Sequence, residues 1–307
     1  MEFALSKSME FNIDRLVILG DIADTHSVVR LEVLEFIGKW FNIFSKQAFK
    51  TVVLVGNHDQ SGDYSSTYSA LHPFLNLEND SFKIVHEPYL DGLYGYLPYI
   101  HDNNKFIEEA NRLAELGATV LVSHPNYEGA VYDNGSPINN GVCVDLIDNH
   151  LRHLIGGHIH TELEMGRVWY TGNPRWLTKS CANKDKGIWL VTHNDSTGVI
   201  ENKKFITTKS VCTPIVSLVW KEGDEMPEIP ENGKVDIELH GSSDWVTSKK
   251  VELKGQVSIS SKITDTKKGS TRKSGKSLQE FIAHHYDIDA NKRKKLLSYL
   301  EGLNLVG

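Results

Sequence analysis

Cysteine is scarce in this chain: Cys143, Cys181 and Cys212 are the only three in 307 residues. Odd in number and widely spaced, they exclude a disulfide framework and a zinc knuckle, and they fit a reducing compartment. Each reads as a buried small hydrophobe. Long apolar runs are absent too. No segment approaches the ~20 apolar residues of a membrane span, so no membrane partner is expected. The N-terminus lacks the charged start, apolar centre and small-residue cleavage site of a secretory signal, which makes the cytoplasm the expected location. Positive charge is not in excess. The net charge of −7 gives no global basic surface, so any nucleic-acid track would have to be local. Composition is otherwise that of a folded globular chain, 40% hydrophobic and 24% charged, long enough for one large domain and a smaller one. No internal repeat is visible.

Four short apolar runs each end in a polar residue able to bind a cation. Arg15–Gly20 ends at Asp21, Thr51–Gly56 at Asn57-His58-Asp59, Ala118–Ser123 at His124, and His153–Gly157 at His158-Ile159-His160. In an open α/β sheet the loops after the carboxyl ends of strands gather at one edge, so these distant residues are expected to meet. Carboxylate, carboxamide and imidazole together suit a hard to borderline divalent cation. Taken singly, each has a plainer explanation. Asp21 could be an N-cap or turn residue, Asn57 a turn residue, and His124 a satisfied buried histidine. The joint pattern is far more specific, and His158 and His160 share one side of an extended segment.

Periodicity predicts helices over Met1–Asn12, Ser27–Phe44, Phe106–Leu116 and Asp145–His150, with a short one near Tyr64–Leu71. Lys83–Val85, Leu93–Leu97, Val168–Gly172 and Gly187–His193 read as strands. Strands and helices alternate through residue 160, an α/β pattern, and strands dominate afterwards. The predicted organisation is a catalytic domain over 1–208 and a small β-rich capping, DNA-binding domain over 209–263, with strands Ile215–Trp220, Val235–Leu239 and Val257–Ser260. A basic linker over 264–276 and a helical segment over 277–307 (Leu278–Tyr286 and Ala290–Leu303) complete it.

Phosphodiester hydrolysis needs an activated water, stabilisation of the charged transition state and a proton for the leaving oxygen. Two cations about 3.5–4 Å apart meet the first two needs, and a histidine can meet the third. The segments LGDIAD (Leu19–Asp24), VGNHD (Val55–Asp59), VSH (Val122–His124) and GGHIH (Gly156–His160) resemble the calcineurin-like metallophosphoesterase superfamily. That resemblance implies an α/β sandwich in which Asp21 bridges two metals. Asn57, His124 and His158 would complete the second metal's shell, and His160 would bind the first. It implies that His58 protonates the leaving oxygen and that Asp24 orients His58 and keeps it cationic. Within the superfamily, LPYI (Leu97–Ile100), WYTGNPRW (Trp169–Trp176) and the terminal architecture look most like SbcD-type nucleases of double-strand-break processing, phage-encoded versions included. The cofactor so implied is Mn2+, with Mg2+ as a substitute. The implied partners are DNA and an SbcC-type ATPase docked by the terminal helices, with a homodimer as a further expectation. Lys267, Lys268, Arg272, Lys273 and Lys276 could touch DNA phosphates or form a solvated tether.

The superfamily's first motif, D-x-H on the first strand, does not precede Asp21. Asp24-Thr25-His26 spells it, but inside the second motif. The first metal is therefore left with Asp21 and His160, a thin shell, and a neighbouring strand should show an unpaired edge. A chain whose true start lies upstream is the favoured explanation; a degenerate member and a strand supplied by another chain are the others. The competing functions are a phosphatase or cyclic-nucleotide phosphodiesterase, and a non-catalytic scaffold that keeps one metal.

Overall fold

The computed structural model describes residues 1–24, 28–61, 68–255 and 257–264. The basic linker lysines and arginine, the two terminal helices, His26 and the first half of the helix expected near Tyr64–Leu71 lie outside the described residues.

The first sheet is parallel, in the order β1 (Arg15–Ile18), β2 (Lys50–Leu54), β3 (Phe82–Val85). Helix α1 (Glu2–Glu10) precedes it, and α2 (Leu31–Phe44) crosses from β1 to β2. Alternation along the strands separates two faces. Val53, Phe82 and Ile84 meet Ile37, Phe41 and Phe44 of α2, while Val52, Leu54 and Val85 point the other way.

That second face packs on Tyr96, Val120 and Val122 of a six-stranded sheet. Its strands are β4 (Tyr89–Asp91), β5 (Tyr94–Tyr96), β6 (Val120–Ser123), β7 (His153–Gly156), β8 (Leu163–Met165) and β9 (Val168–Tyr170), in the order β4-β5-β6-β7-β9-β8. It is parallel from β5 through β9, with an antiparallel strand at each end. Helix α3 (Asn103–Glu115) covers the outer face with Phe106, Ala110 and Leu113. Asp102 caps it by accepting from the N–H groups of Asn104 and Lys105, a device that contributes about 1 kcal/mol. The result is a mixed α/β sandwich layered helix, sheet, sheet, helix.

The structure differs from the sequence reading in several places. Helix α2 starts at Leu31, not Ser27. The helix expected over Asp145–His150 is a single 3-10 turn, Val144–Leu146. Its carbonyls are taken by Arg167, whose guanidinium donates to the oxygens of Val144, Ile147, Asp148 and Leu151, so a continuous helical ladder is not needed to satisfy them. Strand β10 (Gly187–His193) pairs antiparallel with the unanticipated β11 (Ile200–Thr207). The β-rich final module also contains a helix that the sequence reading did not anticipate. Its strands β12 (Ile215–Lys221), β13 (Lys234–Gly241) and β14 (Ser258–Ile263) are parallel, and α4 (Ser243–Glu252) crosses from β13 to β14. The module sits against the 179–183 turn. Asn183 and Ser217 exchange two hydrogen bonds, and Lys179 pairs with the buried Asp236 at 2.5 Å.

Strand β1 is an edge among the described residues, paired only with β2. Its four residues are half-buried, whereas Thr51–Leu54 of β2 are fully buried.

Candidate metal centre

Four loops meet where the two sheets face each other. Asp21 follows β1, Asn57 follows β2, His124 follows β6 and His158 follows β7. Glycines permit the close approach. A Cβ on Gly56 would lie 2.2 Å from Asp21 Oδ1, and one on Gly157 would lie 2.4 Å from the Leu19 carbonyl and 2.6 Å from His124 Nδ1. Asp21 and His158 themselves adopt positive φ, 54° and 75°, a conformation that costs non-glycine residues energy and clusters at functional sites.

Asp21, His124 and His158 bring their ligand atoms within 4.8 Å of one another. His124 is 1% exposed, and its Nδ1 contacts the Leu19 carbonyl. A carbonyl only accepts, so Nδ1 carries the proton, and Nε2 faces Asp21 Oδ2 at 3.1 Å. This is how a second hydrogen bond fixes a metal-binding imidazole. Asn57, 7% exposed, places Oδ1 2.8 Å from His158 Nδ1. Two ligands at right angles about 2.1 Å from a cation stand about 3.0 Å apart, so both contacts have the spacing of neighbouring ligands. The residues present thus fit a divalent cation.

Electrostatics agrees. Burial works against the Asp21 carboxylate, but the His124 hydrogen bond, its charge and the His58 N–H outweigh it and hold the group at about 2. His124 is the reverse: burial lowers it, yet Asp21 lifts it above its ordinary value. Burial, reinforced by the His124 charge, pushes His158 down to about 4, leaving it a neutral imidazole at pH 7, the form that binds metals.

His58 lies beside this group. Its N–H donates to Asp21 Oδ1 at 2.9 Å, and its Nδ1 donates to Asp24 at 3.2 Å. The acceptor there is the main-chain carbonyl of Asp24, whereas the expectation was its carboxylate.

His160 Nδ1 lies 3.4 Å from Asp133 Oδ2, in a group with Asp133 and Cys181. Burial pushes this imidazole down, and the charges of Asp21 and His58 also act on it.

Sequence reasoning passed over Asp59 as a site residue. Its carboxylate, 2% exposed, accepts from the N–H groups of Asp21, Ile22, Ala23 and Gly56 at 2.8–2.9 Å. It therefore ties the loop after β1 to the loop after β2. Burial pushes this carboxyl up to about 6, with the N–H donors pulling the other way. Its signal in the sequence was its place in GNHD.

A fold of two facing sheets with such a cluster at their carboxyl ends is that of a metal-dependent phosphoester hydrolase. The calcineurin-like phosphoesterase model matches residues 4–162, just over half of the chain, and the chain belongs to that family. No match is found among curated proteins. No helix among the described residues is long and apolar enough to cross a membrane.

Proposed function

We propose that this chain is a phosphodiesterase that cuts DNA as the nuclease subunit of an SbcC/SbcD-type complex. The observation that carries the hydrolytic reading is the cross-sheet pairing of Asp21 with His124 and of Asn57 with His158. These four residues would hold a divalent cation, Mn2+ by resemblance. When bound, such a cation acidifies water and neutralises charge on phosphate oxygens.

The protein's own groups supply the rest. Leu19 orients His124 through its carbonyl. Asp59 fixes the backbone from which Asp21 projects. With Nδ1–H directed at the Asp24 carbonyl, His58 keeps Nε2 as the nitrogen that delivers a proton to the leaving oxygen.

The nuclease assignment is supported by the sequence segments at Leu97–Ile100 and Trp169–Trp176 and by the module over β12–β14, which the 179–183 turn attaches to the core. Linear double-stranded DNA with manganese is the substrate that tests it, against p-nitrophenyl phosphate monoesters and diesters. Degradation of DNA that His58→Ala removes at unchanged metal content is the expected result. Turnover of the small esters alone would replace the nuclease with a phosphatase. One observation favours a second reading, a scaffold holding a single cation: no D-x-H motif precedes Asp21 in the sequence. Metal content of one per chain in that cluster, without DNA cleavage, would select the scaffold.

A further inference from the structure

Asp133 lies in the connection between β6 and β7, away from the strand ends that carry the centre. Its side chain is 11% exposed, and its two carboxylate oxygens have different partners. Oδ1 accepts from the Thr161 hydroxyl. Oδ2 faces His160 Nδ1 at 3.4 Å and accepts from the Cys181 thiol at 3.6 Å. The Asp133 carbonyl accepts from the Lys184 ammonium at 3.2 Å, and the same ammonium donates to the Thr161 hydroxyl oxygen at 3.0 Å. Three separated stretches of chain are thereby tied at one residue.

The main chain of His160 is pinned as well. Its carbonyl accepts from the ammonium of Lys186, a buried residue, and from the N–H of Asn173 at 3.1 Å. These bonds leave the imidazole free to rotate, and its side chain is 38% exposed. Asp133 Oδ2 is the anionic acceptor beside it. A carboxylate only accepts, so a ring turned toward it carries its proton on Nδ1 and keeps the lone pair on Nε2. At 3.4 Å the contact is longer than a good hydrogen bond, which ends at about 3.2 Å. A cation on Nε2 would make Nδ1–H a stronger donor and draw the pair together, as carboxylates do with metal-binding imidazoles. The charges of Asp21 and His58 act on this ring, so it lies within electrostatic reach of the Asp21 centre.

We propose that Asp133 is a positioning residue: it holds the Nδ1–H of His160 and so presents Nε2 to a cation at the Asp21 centre. The proposal rests on the reading of that centre as a metal site and adds to it a residue from outside the strand-end motifs. A carboxylate that merely ties loops together through Thr161 and Lys184 is the outcome to exclude.

The full chain with 15N-labelled histidine reports this directly. Long-range correlations between ring protons and ring nitrogens separate a protonated nitrogen from a bare one, and the His160 signals are those missing in His160→Gln. In the metal-free wild type at about pH 8, His160 should carry its proton on Nδ1. Asp133→Ala should move it to the Nε2–H form that free histidine prefers. Zn2+, used as a diamagnetic probe, should shift Nε2 of His160 in the wild type together with signals of His124 and His158. In Asp133→Ala the zinc affinity read at His160 should fall at least tenfold. A wild type with His160 in the Nε2–H form overturns the proposal, and needs no variant to fold. Zinc that shifts His124 and His158 but leaves His160 unmoved overturns it too, and leaves the metal centre standing. So does an Asp133→Ala chain with the wild-type tautomer and affinity, the result of a loop tie alone. Zinc bound as expected by a chain that hydrolyses no phosphoester supports this role of Asp133 while counting against the phosphoesterase reading alone.

Discussion

Asp59→Asn tests how the centre is held together. The wild-type carboxylate serves four N–H donors, those of Asp21, Ile22, Ala23 and Gly56. An asparagine oxygen has two lone pairs, and its amide nitrogen only donates. At least two of the four donors therefore lose their acceptor, at about 1–3 kcal/mol each. Part of this is offset. The carboxyl sits at about 6 in the fold against an ordinary 3.8, so ionising it costs the folded state about 3 kcal/mol. Because the folded value is the higher one, that cost is absent below the unfolded value and complete once pH has risen through the folded one. At pH 8 the substitution removes it, so the net change should lie between a gain of about 1 and a loss of about 3 kcal/mol, and cation affinity is the deciding readout. Urea denaturation of the metal-free chain reads this directly. Calorimetric titration with Mn2+ should show affinity down at least tenfold, because the left-handed Asp21 backbone loses its anchor. A variant as stable as wild type, binding the cation equally well, would refute the view that Asp59 builds the centre.

Four further outcomes follow from contacts already described. Gly56→Ala puts a methyl carbon 2.2 Å from Asp21 Oδ1 and 2.5 Å from its main-chain nitrogen, so cation binding should fall by tenfold or more in the same titration, even in a folded variant. His124 is raised by Asp21 and must lose its proton to bind a cation, so affinity should weaken about tenfold per pH unit below its pKa, with proton release seen in buffers of different ionisation heat. The metal-free chain should keep the Asp21 contribution of about 2 kcal/mol above pH 3.8 and lose it as pH falls toward 2, since the folded value is the lower one. Arg167→Ala leaves the carbonyls of Val144, Ile147, Asp148 and Leu151 without their donor. It should lower the urea midpoint by about 2–4 kcal/mol of stability while cation affinity stays within twofold.

What was legible in the sequence was what is local. The runs ending at Asp21, Asn57, His124 and His158 are short apolar strands, three of them closed by glycine, and a strand that ends in a loop at the sheet edge can be read without knowing its neighbours. Asp59 was visible as a letter but not as a function, because its partners are main-chain N–H groups up to 38 residues away. Asp133 and Cys181 had no signal: one lies in a polar turn and the other reads as an ordinary small hydrophobe until the fold sets Asp133 between Cys181 and His160. Strand β11 was missed because IENKKFIT shows no apolar–polar alternation: polar residues sit on both faces and none of its residues is fully buried. Helix α4 was missed because SDWVTSKKVE buries little more than Val246 and shows almost no apolar stripe.

The centre also explains why the two sheets matter to each other. Asp21 and Asn57 project from the first sheet, His124 and His158 from the second. Each close contact joins one of each, Asp21 with His124 and Asn57 with His158. The His124 hydrogen bond to the Leu19 carbonyl is a third link across the same seam. Both of these close pairs cross from one sheet to the other, so their spacing is set by how Val52, Leu54 and Val85 pack against Tyr96, Val120 and Val122. Core interiors are close-packed and yield little to a change of one methylene. A shift there moves two of these residues relative to the other two, and a cation held by all four would resist it. Binding a cation would therefore also hold the sheets in register.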